Sequence, residues 1–199
     1  SLFLVDTTLP GFERGRNLEK IGLHSGDTSE LFFNDLQLGA DALLGELNQG
    51  FVYMMQQLPR ERLGVATAAI AAAEGALLWT RDYVKERQAF GKPISALQNT
   101  RFKLAEAKTQ IEMNKAFLQQ CITRYEEGKL DVATAAMLKL ASTEMQGKVV
   151  DECLQLFGGY GYMLEYPIAR AYVDARVQRI YAGTSEIMKE IIARDLLGR

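Results

Sequence analysis

Up to about residue 48 the apolar positions come in short extended runs, and from Gly50 onward they recur every three to four residues. In the first part Ser1-Leu-Phe-Leu-Val-Asp6 and Glu30-Leu-Phe-Phe-Asn-Asp-Leu-Gln-Leu38 each predict a strand, with Gly, Asp, Ser and Thr turn residues between them. Two strands are marginal without further cover, so residues 1–48 read as the incomplete end of a β-domain. The helical period that follows predicts helices at about 50–87, 95–127, 131–156, 165–179 and 185–197, with breaks at Phe90-Gly-Lys-Pro93 and Gly128. Residues 49–199 thus predict an antiparallel helical bundle with short loops, and the expected fold class is mainly α.

Composition narrows the function classes. Apolar residues are 48% and charged residues 24% of the 199, with 4 prolines and alanine-rich stretches, which suits a globular helical chain. A net charge of -2 gives no basic field for a phosphate backbone, so a nucleic-acid partner is not expected. Cys121 and Cys153 are far apart, in apolar helical contexts and in no metal-ligand spacing, which points to buried thiols in a reduced, intracellular setting. No apolar run approaches the ~20 residues that span a bilayer, so no membrane span is expected.

Two loops carry more than a bundle needs. Phe157-Gly-Gly-Tyr-Gly-Tyr162 places three glycines at a helix end, permitting positive φ and close approach of a ligand to the backbone. Tyr181-Ala-Gly-Thr-Ser-Glu186 opens the last helix, with Thr184 or Ser185 as N-cap and Glu186 in the first turn. Free N–H groups there can receive an anionic ligand, although a turn with an ordinary cap has the same pattern.

Along the first long helix Met54, Leu58, Glu61, Val65, Ala68 and Ala72 fall on one face by the three-four rule, and Glu61 is its only ionisable member. A desolvated carboxylate has a raised pKa, as a general base near neutral pH requires. The alternative is a carboxylate held by Arg60, Arg62 or an arginine of another helix. Pro59 either interrupts this helix beside Glu61 or starts a new one. His24 is the single histidine and lies in a turn-rich segment, so neither a Ser-His-Asp triad nor a di-iron bundle finds its residues, and no metal site is expected.

Three segments in this order resemble the acyl-CoA dehydrogenase family: Arg87-Gln-Ala-Phe-Gly-Lys-Pro-Ile94 with Gln98, Gln155-Leu-Phe-Gly-Gly-Tyr-Gly-Tyr162, and Tyr181-Ala-Gly-Thr-Ser-Glu186. Gly22-Leu-His-Ser-Gly-Asp-Thr-Ser-Glu30 and Leu44-Gly-Glu-Leu-Asn-Gln-Gly50 resemble the end of that family's middle β-domain. The resemblance implies FAD-dependent α,β-dehydrogenation of a fatty acyl-CoA, with a glutamate taking the α proton. It implies that Arg87, Ala89, Phe90 and Gln98 hold the dinucleotide of a neighbouring subunit, where Ala89 departs from the usual hydroxyl residue. Gln155, Gly158 and Gly159 would reach a neighbour's adenine end, and Thr184, Ser185 and Glu186 would meet the dinucleotide.

Position 182 is the informative departure. Many relatives carry the catalytic glutamate there, whereas this chain has Ala182. The long-chain and isovaleryl branches carry it on the first helix of this domain, in a motif similar to Leu58-Pro-Arg-Glu-Arg-Leu63, so the resemblance assigns the base to Glu61 and the thioester end of the pocket to Arg62 and Gly183. It further implies a homo-oligomer, dimer or tetramer, an electron-transferring flavoprotein as electron acceptor, and a fragment lacking the N-terminal helical domain. A branched short-chain substrate and a catalytically silent helical assembly module are the alternatives.

Overall fold

The computed structural model describes residues 1–198, which divide into two compact units, Ser1–Leu58 and a second from Pro59 onward. The first unit holds four short strands. β1 (Leu2–Phe3) pairs antiparallel with β4 (Leu43–Leu44), and β2 (Phe12–Asn17) with β3 (Ser29–Phe33) in the register Phe12↔Phe33 and Arg14↔Leu31, shifting before Asn17↔Ser29. The strands expected at residues 1–6 and 30–38 are shorter than their apolar runs, and β2 was not expected at all. Its Phe-Glu-Arg-Gly-Arg-Asn sequence has no apolar alternation, so its extension depends on pairing with β3. Leu31, Phe32 and Phe33 of β3 remain about half exposed.

Helix α1 (Gly50–Glu86) runs on through Pro59, so the proline interrupts the hydrogen-bond ladder and does not start a new helix. Beyond it come a two-residue hairpin, β5 (Gln88–Ala89) with β6 (Lys92–Pro93), then α2 (Gln98–Glu126), α3 (Val132–Phe157), α4 (Pro167–Ala175) and α5 (Ser185–Leu197). Each boundary has a local cause. Phe90 and Gly91 both take positive φ, +53° and +73°, the pair of left-handed residues that a tight hairpin turn of matching twist requires. Asp131 caps α3 by accepting from Thr134 N at 2.6 Å, and Thr184 caps α5 by accepting from Ile187 N at 3.3 Å. Gly158 closes α3 at φ +59°.

In the second unit α3 is the central element. Its buried residues occur all round its circumference, from Ala133, Ala135 and Leu138 through Met145, Val149 and Val150 to Cys153 and Phe157. Ile70, Ala73, Ala76 and Leu77 of α1 share one core with Ala107 and Ile111 of α2, the C-terminal half of α3, and Ile168 and Ala175 of α4. Lys115 of α2 pairs with Glu74 of α1, and Lys103 of α2 with Glu152 of α3, across the helix seams. Both cysteines are free and buried, and burial pushes both thiols above the usual range.

One expectation about α1 needs correction. The buried face carries Arg62, Ala66, Ala69, Ala73, Ala76, Thr80 and Val84, whereas Met54, Glu61, Ala68 and Ala72 are exposed. Alanine occurs on every side of this helix, so the three-four rule fits several faces, and Ile70, Leu77 and Val84 select the one that packs. By length and composition alone α1 contains a stretch, of mean hydropathy 1.5, that could cross a membrane, as the core helix of a helical bundle also can. Of its apolar side chains, Ile70, Ala73, Ala76 and Leu77 build the core with α2, α3 and α4.

Candidate functional site

The described residues gather most of the nominated side chains into two groups, at different levels of α3. At one level α1 meets the segment leading into α5. Arg62 is 3% exposed, and its Nη2 lies 3.9 Å from where a Cβ on Gly183 would stand. Its Nε and Nη1 are buried without a hydrogen-bond partner, a state that costs about 1–3 kcal/mol for each group left unpaired. Desolvation holds the Arg62 guanidinium below its usual pKa, with the charge of Glu61 opposing the shift. Glu61 itself is exposed in this chain, so the dry surroundings expected for it are not supplied by its own helix face.

Lys139 of α3 completes this level and was not singled out from the sequence. It has no exposed surface, and its Nζ donates to Gly183 O at 2.7 Å. Its pKa is lowered, first by desolvation and then by the charge of Arg62, while Glu144 and Glu186 pull the other way. The signal available in the sequence was a lysine inside the apolar run Met137-Leu-Lys-Leu140.

The segment itself is strained. Ala182 sits at φ +52° and Gly183 at φ +101°, and a Cβ on Gly183 would meet Met188 Cε at 2.6 Å. Glycine is required there for its conformation, the Met188 methyl being the end of a flexible side chain. Thr184 is the N-cap, which settles the choice left open between it and Ser185, and the Ser185 hydroxyl donates to Glu144 Oε1 at 2.7 Å. The Glu186 carboxyl is held below the usual carboxylate range, chiefly by its own backbone N–H and then by the Thr184 hydroxyl, as suits an acid in the first turn of a helix.

The second group stands at the far end of α3, where Gln155 is about 16 Å from Glu144 along the helix at 1.5 Å per residue. A cavity of 630 Å³ is lined there by Arg87, Leu97, Gln155, Gly158, Gly159 and Tyr160, among others. The Arg87 guanidinium lies 5.4 Å from the Tyr160 ring centroid. Tyr83 stacks on Phe157 at 4.0 Å and donates its hydroxyl to Phe157 O at 3.2 Å, fixing the turn that follows α3. These aromatics were not picked out from the sequence, where tyrosines at helix ends carry no mark of a shared wall.

The three glycines of this turn divide the work. A Cβ on Gly158 or Gly159 would meet nothing within 4 Å, whereas one on Gly161 would lie 2.4 Å from Leu154 O. Gly158 and Gly159 are therefore open toward the cavity, and Gly161 is a packing residue. Ala89, Phe90 and Gln98 lie outside the cavity lining, on the hairpin and at the start of α2, with Phe90 90% exposed at the hairpin tip. His24 lies in an exposed turn with its Nε2 2.7 Å from Lys20 O. No group of three or more His, Cys, Asp or Glu side chains suited to a metal ion occurs among the described residues.

The residues present suit a dinucleotide. The open glycine turn, the amide of Gln155 and the aromatic and apolar walls can take a planar base.

Comparison with known proteins agrees with this geometry. The chain is 54% identical over 197 residues to the long-chain specific acyl-CoA dehydrogenase of Sus scrofa mitochondria, covering 99% of this chain and 46% of that protein. The crystal structure of an acyl-CoA dehydrogenase from Geobacillus kaustophilus matches with a TM-score of 0.96 at 51% identity, over 98% of this chain and 52% of that one. A glutaryl-CoA dehydrogenase from Mycobacterium smegmatis, solved in complex with FADH2, matches with a TM-score of 0.94 at 29% identity, over 99% and 51% of the two chains. The chain thus spans about half the length of the relatives it matches. With residues 48–197 matching the model of the acyl-CoA dehydrogenase C-terminal domain, this chain belongs to the acyl-CoA dehydrogenase family.

Proposed function

We propose that this chain supplies the base, the thioester end of the pocket and part of the FAD grip of an enzyme that dehydrogenates fatty acyl-CoA to the trans-2-enoyl-CoA. One observation carries the reading: Arg62, next to Glu61 on α1, reaches the Gly183 segment. Arg62 thereby ties the helix turn that carries Glu61 to the Gly183 segment, and on this reading a glutamate on α1 serves where Ala182 cannot. The long-chain relative at 54% identity favours a long acyl chain over a branched short one.

Glu61 takes the α proton as that C–H bond breaks. Bound FAD would supply the acceptor for the hydride that leaves the β carbon. Arg62 brings a buried positive charge beside the carboxylate, whose field favours an oxygen that gains negative charge. Glu61 is open in this chain, so its desolvation falls to the acyl chain and to surfaces beyond these residues. Thr184 and Glu186 would face the dinucleotide at the α5 N-terminus. Arg87, Gln155, Gly158 and Gly159 would hold an adenine end, and Ala89, Phe90 and Gln98 would reach the dinucleotide of a neighbouring copy. An exposed phenylalanine in left-handed backbone at a hairpin tip suits insertion into another surface. A homo-oligomer follows from that arrangement, and an electron-transferring flavoprotein is the expected acceptor.

The test is Glu61→Gln in the longest native chain containing these residues. FAD affinity and the thermal midpoint should hold while turnover falls about 10²–10⁴-fold, the usual contribution of a positioned base. Turnover near the parent value would remove Glu61 from the chemistry. Ala182→Glu in the Glu61→Gln background should restore part of the rate.

A further inference from the structure

Two consecutive residues in left-handed or more extreme backbone, Ala182 and Gly183, persist only where their surroundings over-determine them. The restraints come from α3, on both sides of the strained pair. After it, Ser185 Oγ donates to Glu144 Oε1 at 2.7 Å, with Ser185 only 5% exposed. Before it, Arg179 Nη1 lies 3.4 Å from Glu144 Oε2. The Arg179 guanidinium lies against Gly147, where an added Cβ would come within 3.3 Å of its Cζ, so the arginine has a fitted seat on α3. Between them, Lys139 Nζ holds Gly183 O at 2.7 Å.

We propose that Glu144 is a positioning residue. Its carboxylate brackets the 180–184 segment by gripping Arg179 with one oxygen and Ser185 with the other, and so sets the backbone against which Arg62 and the ligand are placed. The Ser185 hydroxyl is thereby committed to Glu144 and is a tether, not a donor to the dinucleotide. Glu144 also lies in the field of the cations here, raising the pKa of Lys139 against its desolvation. Without the carboxylate, Arg179 and Ser185 lose their shared partner and Lys139 is left as the one polar tether from α3 to this segment among those named.

This rests on the reading of the 181–186 segment as facing cofactor and substrate, and the test keeps the two apart. Amide hydrogen exchange is compared in the longest native chain for the parent, Glu144→Ala, Ser185→Ala and the double variant, with FAD affinity measured by fluorescence on the same samples. Exchange should accelerate about tenfold at residues 182–188 in Glu144→Ala, the scale of one hydrogen bond to a charged group, while residues 149–157 of α3 keep the parent rate. The double variant should be no faster than Glu144→Ala, and FAD should bind about tenfold more weakly in each. Unchanged exchange at 182–188, equal acceleration along α3, or additive effects in the double variant would each overturn the bracket. A parent protein that binds no FAD would refute the functional reading, and the exchange comparison would still decide the tether.

Discussion

Gly159 and Gly161 stand two residues apart in the turn after α3, and the structure assigns them opposite sensitivities. A Cβ on Gly159 would meet nothing within 4 Å, and the residue is not in positive φ. Gly159→Ala thus has no steric cost in the fold and removes freedom from the unfolded chain, a gain of about 0.4–1 kcal/mol. At about 2–4 °C per kcal/mol for a unit this size, the midpoint should rise by about 1–4 °C. Gly161→Ala would put its Cβ 2.4 Å from Leu154 O, 3.1 Å from Leu154 Cγ and 3.2 Å from Phe157 Cβ. The first of these is a backbone atom of α3 and cannot swing aside, so the cost is that of overpacking, about 2 kcal/mol or a fall of about 4–8 °C. For FAD the expectation reverses: the Gly159 methyl enters the 630 Å³ cavity and should weaken binding about tenfold, or ~1.4 kcal/mol. Thermal unfolding by circular dichroism and a fluorescence titration with FAD check both halves. A Gly159→Ala midpoint as low as that of Gly161→Ala, or unaltered FAD affinity, would refute the division of roles.

Other perturbations test the frame. Asp131→Ala removes the α3 cap and should cost about 1 kcal/mol, read as a lower denaturant midpoint. The Asp131 carboxyl is held below its usual range first by the Thr134 hydroxyl and then by the Thr134 N–H. Its stabilisation is therefore complete above its unfolded pKa and is lost as pH falls through the folded one, so parent and Asp131→Ala should converge in acid. Lys139 has a dependence of the same sign in an alkaline window: its depressed pKa means the unfolded chain holds the proton longer, so the stability of the parent relative to Lys139→Met should grow as pH rises from the folded value to the unfolded one. A difference that stays flat across the alkaline range would refute the burial of that charge.

The helix limits were legible in the sequence because their causes are local. Asp131, Thr184, Gly158 and the Phe90-Gly91 turn act within three or four residues of the breaks they make. The glycine turn and the α5 cap were legible for the same reason, since small residues before a helix have a meaning that needs no neighbour. Tertiary structure decided which side of α1 packs, because an alanine-rich helix offers several equivalent faces until Ile70, Leu77 and Val84 find partners on α2, α3 and α4. That choice buried Arg62 and left Glu61 open, the reverse of the sequence-based expectation that Glu61 lies on a packed face. β2 depended in the same way on β3, since Glu13-Arg-Gly-Arg16 has no strand signal of its own. The polar bracket on the 180–184 segment joins residues about forty positions apart, Lys139 to Gly183 and Glu144 to Ser185. No local pattern marks such pairs, because they meet only once the packing of α5 against α3 has fixed where the two stretches of chain run.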